Sequence, residues 1–405
     1  MSFRARAHPC RHALIRAAGT LAALAATGLP AAGQTGLARR PPPRAPAAVR
    51  VAAQLDSAWT AYERRDWPAA AARAESALAR LPEGTGVETR FSFALLAGRA
   101  RADMGEPARA LAHLERALAL DAPRDWRRAW ALAYVGRAHF ARGDTAGARA
   151  ALQGVESLTP TERIRATVTS DWRLFGFDSS YARWTTLETP HLHIRLSPRA
   201  PVLDPRAFAD VRERAAVRIA EALGDTAAAG TPKRIDVFVW DSDVEAAEAG
   251  LARVHIARPA LGLTHLTWDQ TVGHELAHII AYRAVRPVSM APVVVEGVAV
   301  YFDGSTDDRL LEAAAALSGR GLSSVDVRAL WRDWSTLPTT VAYPVAGALI
   351  EMLHRDGGLP ALRALLRTQT LDDAQRIYGP ALDGWLDAFE ARLAARAAST
   401  VSGAP

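Results

Sequence analysis

Two histidines four residues apart, with a glutamate directly after the first, form the run His274-Glu275-Leu276-Ala277-His278. On a helix the two imidazoles stand one turn apart on one face, so both can reach one metal ion. Glu275 is rotated about 100° from His274. It therefore points beside the ion, where a base can take a proton from a water on the metal. A catalytic site of this type takes three protein ligands and keeps one position open. One completion needs glycine at 281 and histidine at 284, but alanine stands at both. The other is a carboxylate on a following helix. "APVVVEGVAVYFDG" (291–304) offers Glu296, the one acid between Val293 and Phe302. A lone carboxylate in an apolar helix is costly to bury unless it is paired or binds a metal.

His274-Glu275-x-x-His278 followed by Glu296-Gly297-x-Ala299 resembles the gluzincin metallopeptidases, and most closely the secreted bacterial peptidase MA-like domains related to aminopeptidase N and thermolysin. The resemblance covers about 187–395, with its core at 272–303. It implies a Zn2+ ion held by His274, His278 and Glu296, with Glu275 as general base. In similar domains a tyrosine opens a later helix and leans over the zinc; here that is Tyr343, before Pro344, placed to hydrogen-bond an oxyanion. Asp303 takes the place of an acid seen in aminopeptidase N-like helices and is expected to support a metal ligand. Val300 stands where the thermolysin type has a supporting aspartate, and no G-x-M-E-N stretch marks an amine-binding site.

The elements that must position these residues are legible in part. Thr267 and Gln270 form a capping-box pattern, so the metal helix is expected to start there and run to about Tyr282. Pro292 suits the first turn of the second metal helix and Gly304 its exit, and Gly297 is expected to bring the two metal helices together. Alternating residues predict strands at 191–197, 234–240 and 260–266, with a helix at 206–223 between the first two. Everything after 268 reads helical. The strand at 260–266 is expected to pair with an extended substrate. His191 and His193 share the polar face of the first strand and read as solvent-facing. His265 is placed to line the cleft, and His354 reads as surface. Trp172, Trp184, Trp240, Trp268, Trp331 and Trp334 read as core.

Upstream, "RDWPAAAARAESALARLP", "GEPARALAHLERALALDAP" and "GDTAGARAALQGVESLTP" repeat at a spacing near 40. Asp66, Glu106 and Asp144 each stand four residues before an alanine. The units read as helix pairs similar to tetratricopeptide repeats, which would offer a groove for a protein partner or merely pack on their neighbour. The expected fold class is α+β: helical repeats, then a zincin-type domain with a small sheet and a helical C-terminal part.

The eight arginines among residues 1–50, with no acid there, account for a net charge of +6 that falls to −2 without them. No basic face remains for nucleic acid. The basic start, the apolar run of 14 residues and the small residues before Gln34 read as a cleavable signal peptide, with a secreted or periplasmic product and no stable membrane span after cleavage. Cys10, the one cysteine, lies within it, so a metal must be held by His, Asp or Glu. The expected divisions are 1–33 signal peptide, 34–50 Pro/Arg-rich linker, 51–160 repeats, 161–186 connector, 187–395 peptidase domain and 396–405 disordered tail. The expected activity is hydrolysis of a peptide or protein substrate. Two alternatives stay open: a repeat scaffold with a non-catalytic zinc domain, and a zinc hydrolase acting on a non-peptide amide or ester.

Overall fold

The computed structural model of the chain describes residues 47–121, 125–224 and 234–402. The expected signal peptide and Cys10 lie outside the described residues, as does most of the linker. Three antiparallel helix pairs come first: α1 (Ala47–Glu63) with α2 (Trp67–Leu78), α3 (Val87–Asp103) with α4 (Pro107–Leu118), and α5 (Trp126–Ala141) with α6 (Thr145–Gly154). The repeat signature has a direct cause. Asp66 and Asp144 cap the second helix of their pairs by accepting from the Ala69 and Gly147 amides. Glu106 makes no such cap and pairs with Arg101 at 2.8 Å instead. Ala70, Ala110 and Ala148 are fully buried where the helices cross. Helix α1 starts inside the expected linker.

The expected connector is ordered structure. It holds α7 (Glu162–Leu174), a 3₁₀ turn at Ser179–Arg183 and the first half of strand β1 (Thr185–Glu188). Next come β2 (Leu192–Leu196), α8 (Pro205–Ala222), β3 (Ile235–Trp240), α9 (Asp243–Glu248), β4 (Ile256–Arg258) and β5 (Leu263–Thr267). The sheet order is β1-β2-β3-β5-β4. β2, β3 and β5 are parallel, and β1 and β4 flank them antiparallel. The expected strand at 260–266 thus begins too early: a 3₁₀ turn at Pro259–Leu261 and Gly262, at φ 66°, separate two strands there. β1 and β4 are short, which is why alternation did not reveal them.

Both faces of the central strands are covered, and β3 and β5 are buried at every position. On one face Ile194, Val237, Val239 and Leu266 meet α8 and the later helices. On the other, Phe238, Trp240 and Leu263 meet Phe140, Leu152, Ile164 and Phe175. The third helix pair and α7 therefore form the second cover of the sheet, and the described residues make one compact unit.

The rest is helical: α10 (His274–Val285), α11 (Pro292–Phe302), α12 (Arg309–Ser318), α13 (Val327–Arg332), α14 (Thr339–Thr368), α15 (Leu371–Tyr378) and α16 (Ala381–Ser402). Helix α14 kinks at Gly358, at φ 79°. Helix α16 continues through 396–402, within the segment expected as a disordered tail. The fold is mainly helical with a small mixed sheet, an α+β arrangement. Among the described residues, no helix is long and apolar enough to cross a membrane.

Candidate metal centre

Helix α10 begins at His274, not at Thr267. Thr267 ends β5, and its hydroxyl donates to Asp269 at 2.6 Å, so no capping box forms. Gly273 sits at the helix N-terminus without a side-chain cap. A Cβ there would lie 2.7 Å from the Phe302 carbonyl oxygen and 3.0 Å from Asp303 Cα. The Gly273 amide donates to the Asp303 carbonyl at 3.3 Å. This glycine lets the start of α10 lie against the end of α11. Gly297 serves a different contact from the expected one. Its Cβ would lie 2.7 Å from Ala346 O, so it seats α11 on α14 and not on α10.

Helix α11 starts with Pro292 in its first turn and leaves through Gly304 at φ 75°, as expected. One helical turn on each of α10 and α11 then brings the ligand set together. His274 Nε2 lies 3.7 Å from Glu296 Oε2, and His278 Nε2 lies 3.4 Å from it. One ligand atom from each of His274, His278 and Glu296 falls within 4.8 Å of the others. These spacings are long for hydrogen bonds. Ligand atoms ~2.0–2.1 Å from one tetrahedral ion would stand ~3.4 Å apart. The two His–Glu spacings are near that value, and two imidazoles with a carboxylate are a donor set that could hold a metal ion.

The three side chains act strongly on one another. Burial pushes the Glu296 carboxyl up, but the imidazoles of His274 and His278 more than offset this and its pKa falls to about 2. Burial lowers the His278 pKa, while the adjacent Glu296 carboxylate more than reverses this and leaves it raised. Glu275 is buried, at 4% exposure, and lines the same cleft. Among the described residues no side chain hydrogen-bonds to its carboxylate. Its charge reaches His278 and Tyr343.

Tyr343 enters the cleft from the second turn of α14, with its ring centroid 6.1 Å from that of His274. Trp334 packs edge-on against it at 5.5 Å and is itself partly buried against the main core. Burial, then the Glu296 and Glu275 carboxylates, push the Tyr343 phenol up to about 12. The cleft has a volume of about 360 Å³.

Other expected roles change. Asp303 does not support a metal ligand: its carboxylate accepts from Arg309 at 2.5 Å and from the Ser305 amide at 2.7 Å. His265 is outside the cleft and fully buried. Its Nδ1 accepts from Trp240 Nε1–H at 3.1 Å, and its Nε2 donates to the Leu174 carbonyl at 2.9 Å. His191 and His193 pair with Glu213 and Asp236, away from the metal cluster. His354 is half-buried and meets the Tyr301 hydroxyl at 3.0 Å. Trp240 and Trp331 are core, Trp172 and Trp184 are partly buried, and Trp268 is exposed. The expected substrate strand moves as well. β5 lies inside the sheet, and β4 is the edge whose residues line the cleft.

No family model matches this chain, and no curated protein matches it in sequence.

Proposed function

We propose that the protein is a zinc-dependent metallopeptidase of the gluzincin type. The observation that carries the reading is the convergence of His274, His278 and Glu296 beside the buried carboxylate of Glu275, which has no hydrogen-bond partner among the described residues. A zinc ion held by these three residues would supply Lewis acidity and make a bound water acidic enough to react near neutral pH. Glu275 takes the proton of the attacking water and delivers it to the leaving amine. Tyr343 keeps its proton at neutral pH and donates to the oxyanion that develops on the substrate carbonyl. The outer edge of β4 offers main-chain groups to an extended substrate.

The deciding measurement is zinc content in protein purified without chelators or metal-affinity resin. About one zinc per chain is expected, falling sharply in Glu296→Ala. Glu275→Gln should keep the zinc and lose hydrolysis of a peptide mixture by about 10²–10⁴-fold. Well-folded protein that takes up no zinc on addition would remove the reading.

A further inference from the structure

The cleft over the metal cluster has two chemically different sides. Ala281 and Val285 of α10, Val294 and Val298 of α11, and Met290 between the helices build an apolar side. Met290 is 53% exposed, an apolar surface at the mouth with nothing covering it. The opposite rim is the edge strand β4 with the turn before it, and it carries Arg253 and Arg258. Both arginines are exposed, and neither has a carboxylate within salt-bridge distance among the described residues. Neighbouring Arg137, by contrast, is held by Asp171 at 2.7 Å.

The two rim guanidiniums act on each other and on the centre. Partial burial, then the charges of Arg253 and Arg137, lower the pKa of Arg258. The charge of Arg253 is felt at Tyr343. The two carboxylates that line the cleft, Glu275 and Glu296, sit at the metal cluster itself. Asp171 also acts on Arg258, but among the described residues no cleft-lining carboxylate pairs with either guanidinium, and an unpaired positive rim attracts ligands of opposite charge. Guanidinium groups match carboxylates in geometry as well as in charge. An extended peptide on β4 would pass both arginines with alternate side chains directed across the cleft to the apolar wall.

Resting on the peptidase reading, we infer that this site selects acidic peptides. An apolar side chain sits against Val294 and Met290, and carboxylates, from Asp, Glu or the chain terminus, sit at Arg253 and Arg258. A basic peptide is repelled at the same rim.

The test uses short fluorescence-quenched peptides with one apolar centre and acidic, neutral or basic flanks, each with a free or an amidated C-terminus. Cleavage by the zinc-loaded wild type is measured alongside binding of the same peptides to Glu275→Gln, which reads recognition without chemistry. Acidic flanks are expected to raise both kcat/KM and affinity about tenfold over basic flanks. The preference should shrink with added salt and invert in R253E/R258E, with zinc content unchanged as the folding control. Loss of the effect on amidation alone assigns the carboxylate to the chain terminus; persistence assigns it to side chains. Cleavage that ignores charge overturns the inference and leaves the peptidase reading standing. Charge-selective binding without any cleavage does the reverse. An unchanged preference in R253E/R258E also overturns the inference.

Discussion

Tyr343 lines the cleft beside His274, and its surroundings hold its proton in place. Burial and two carboxylates push the Tyr343 phenol up to about 12, so it stays a donor across the neutral range. Tyr343→Phe removes only the hydroxyl. It is expected to lower kcat by about 10²-fold with KM nearly constant and zinc retained, because the bond is made to charge that develops during the reaction. A rise in KM at constant kcat would show a role in binding only. At this scale the sequence was most informative. His274, Glu275, His278 and Glu296 were legible because spacing on a helix fixes which side chains share a face, and because an acid in an apolar helix demands a partner. Asp303 and His265 were misread because a turn in the one case and tertiary packing in the other set their partners. Arg309 returns to Asp303 after a turn. Trp240 and Leu174 reach His265 from a neighbouring strand and a distant helix.

Three glycines decide how closely the elements approach. Gly273 pins the start of α10 to the end of α11, while Gly297 and Gly347 let α11 and α14 interlock, since a Cβ on Gly347 would run into the Val300 side chain. A methyl on Gly297 meets a backbone oxygen that cannot turn aside. Gly297→Ala should therefore destabilise by about 1–3 kcal/mol by overpacking, even though alanine favours the helix by about 1 kcal/mol. It should also weaken zinc binding, since Glu296 is the adjacent residue. A methyl added at Gly384 of α16 would meet nothing within 4 Å, so Gly384→Ala should gain up to about 1 kcal/mol. Thermal melts of the two variants compare them directly, and equal stability would refute the close-packing argument. Helix existence was readable from periodicity, but the start of α10 was not. Thr267 and Gln270 have the composition of a cap, yet strand pairing claims Thr267 first. Gly273 carried the better signal, a residue without Cβ directly before the motif.

The repeats and the sheet share one seam, and His265 lies in it. Its ring stacks on Phe238 at 4.4 Å while bridging Trp240 to the last residue of α7. No sequence pattern announced this, because two segments that each read as a unit hide their joint face. The second helix pair also touches α10: the Tyr282 hydroxyl donates to the Asp103 carbonyl at 2.9 Å. Among the repeats, the third pair covers the sheet and the second rests on α10. Burial lowers the His265 pKa to about 4, and the neutral imidazole both accepts from Trp240 and donates to Leu174. In the unfolded chain the group titrates near 6.5. The folded pKa is the depressed one, so its contribution is fully present above about pH 6.5 and is lost as pH falls through 4, up to about 3 kcal/mol. Denaturant unfolding of wild type and His265→Phe between pH 7.5 and 4 should show the wild type losing stability more steeply. The variant starts lower, because it leaves Trp240 Nε1 and the Leu174 carbonyl without their partner, but it lacks this part of the slope. Parallel slopes would mean that the seam does not sense the proton. A single unfolding transition in both proteins is expected as well, since repeats and sheet share this core.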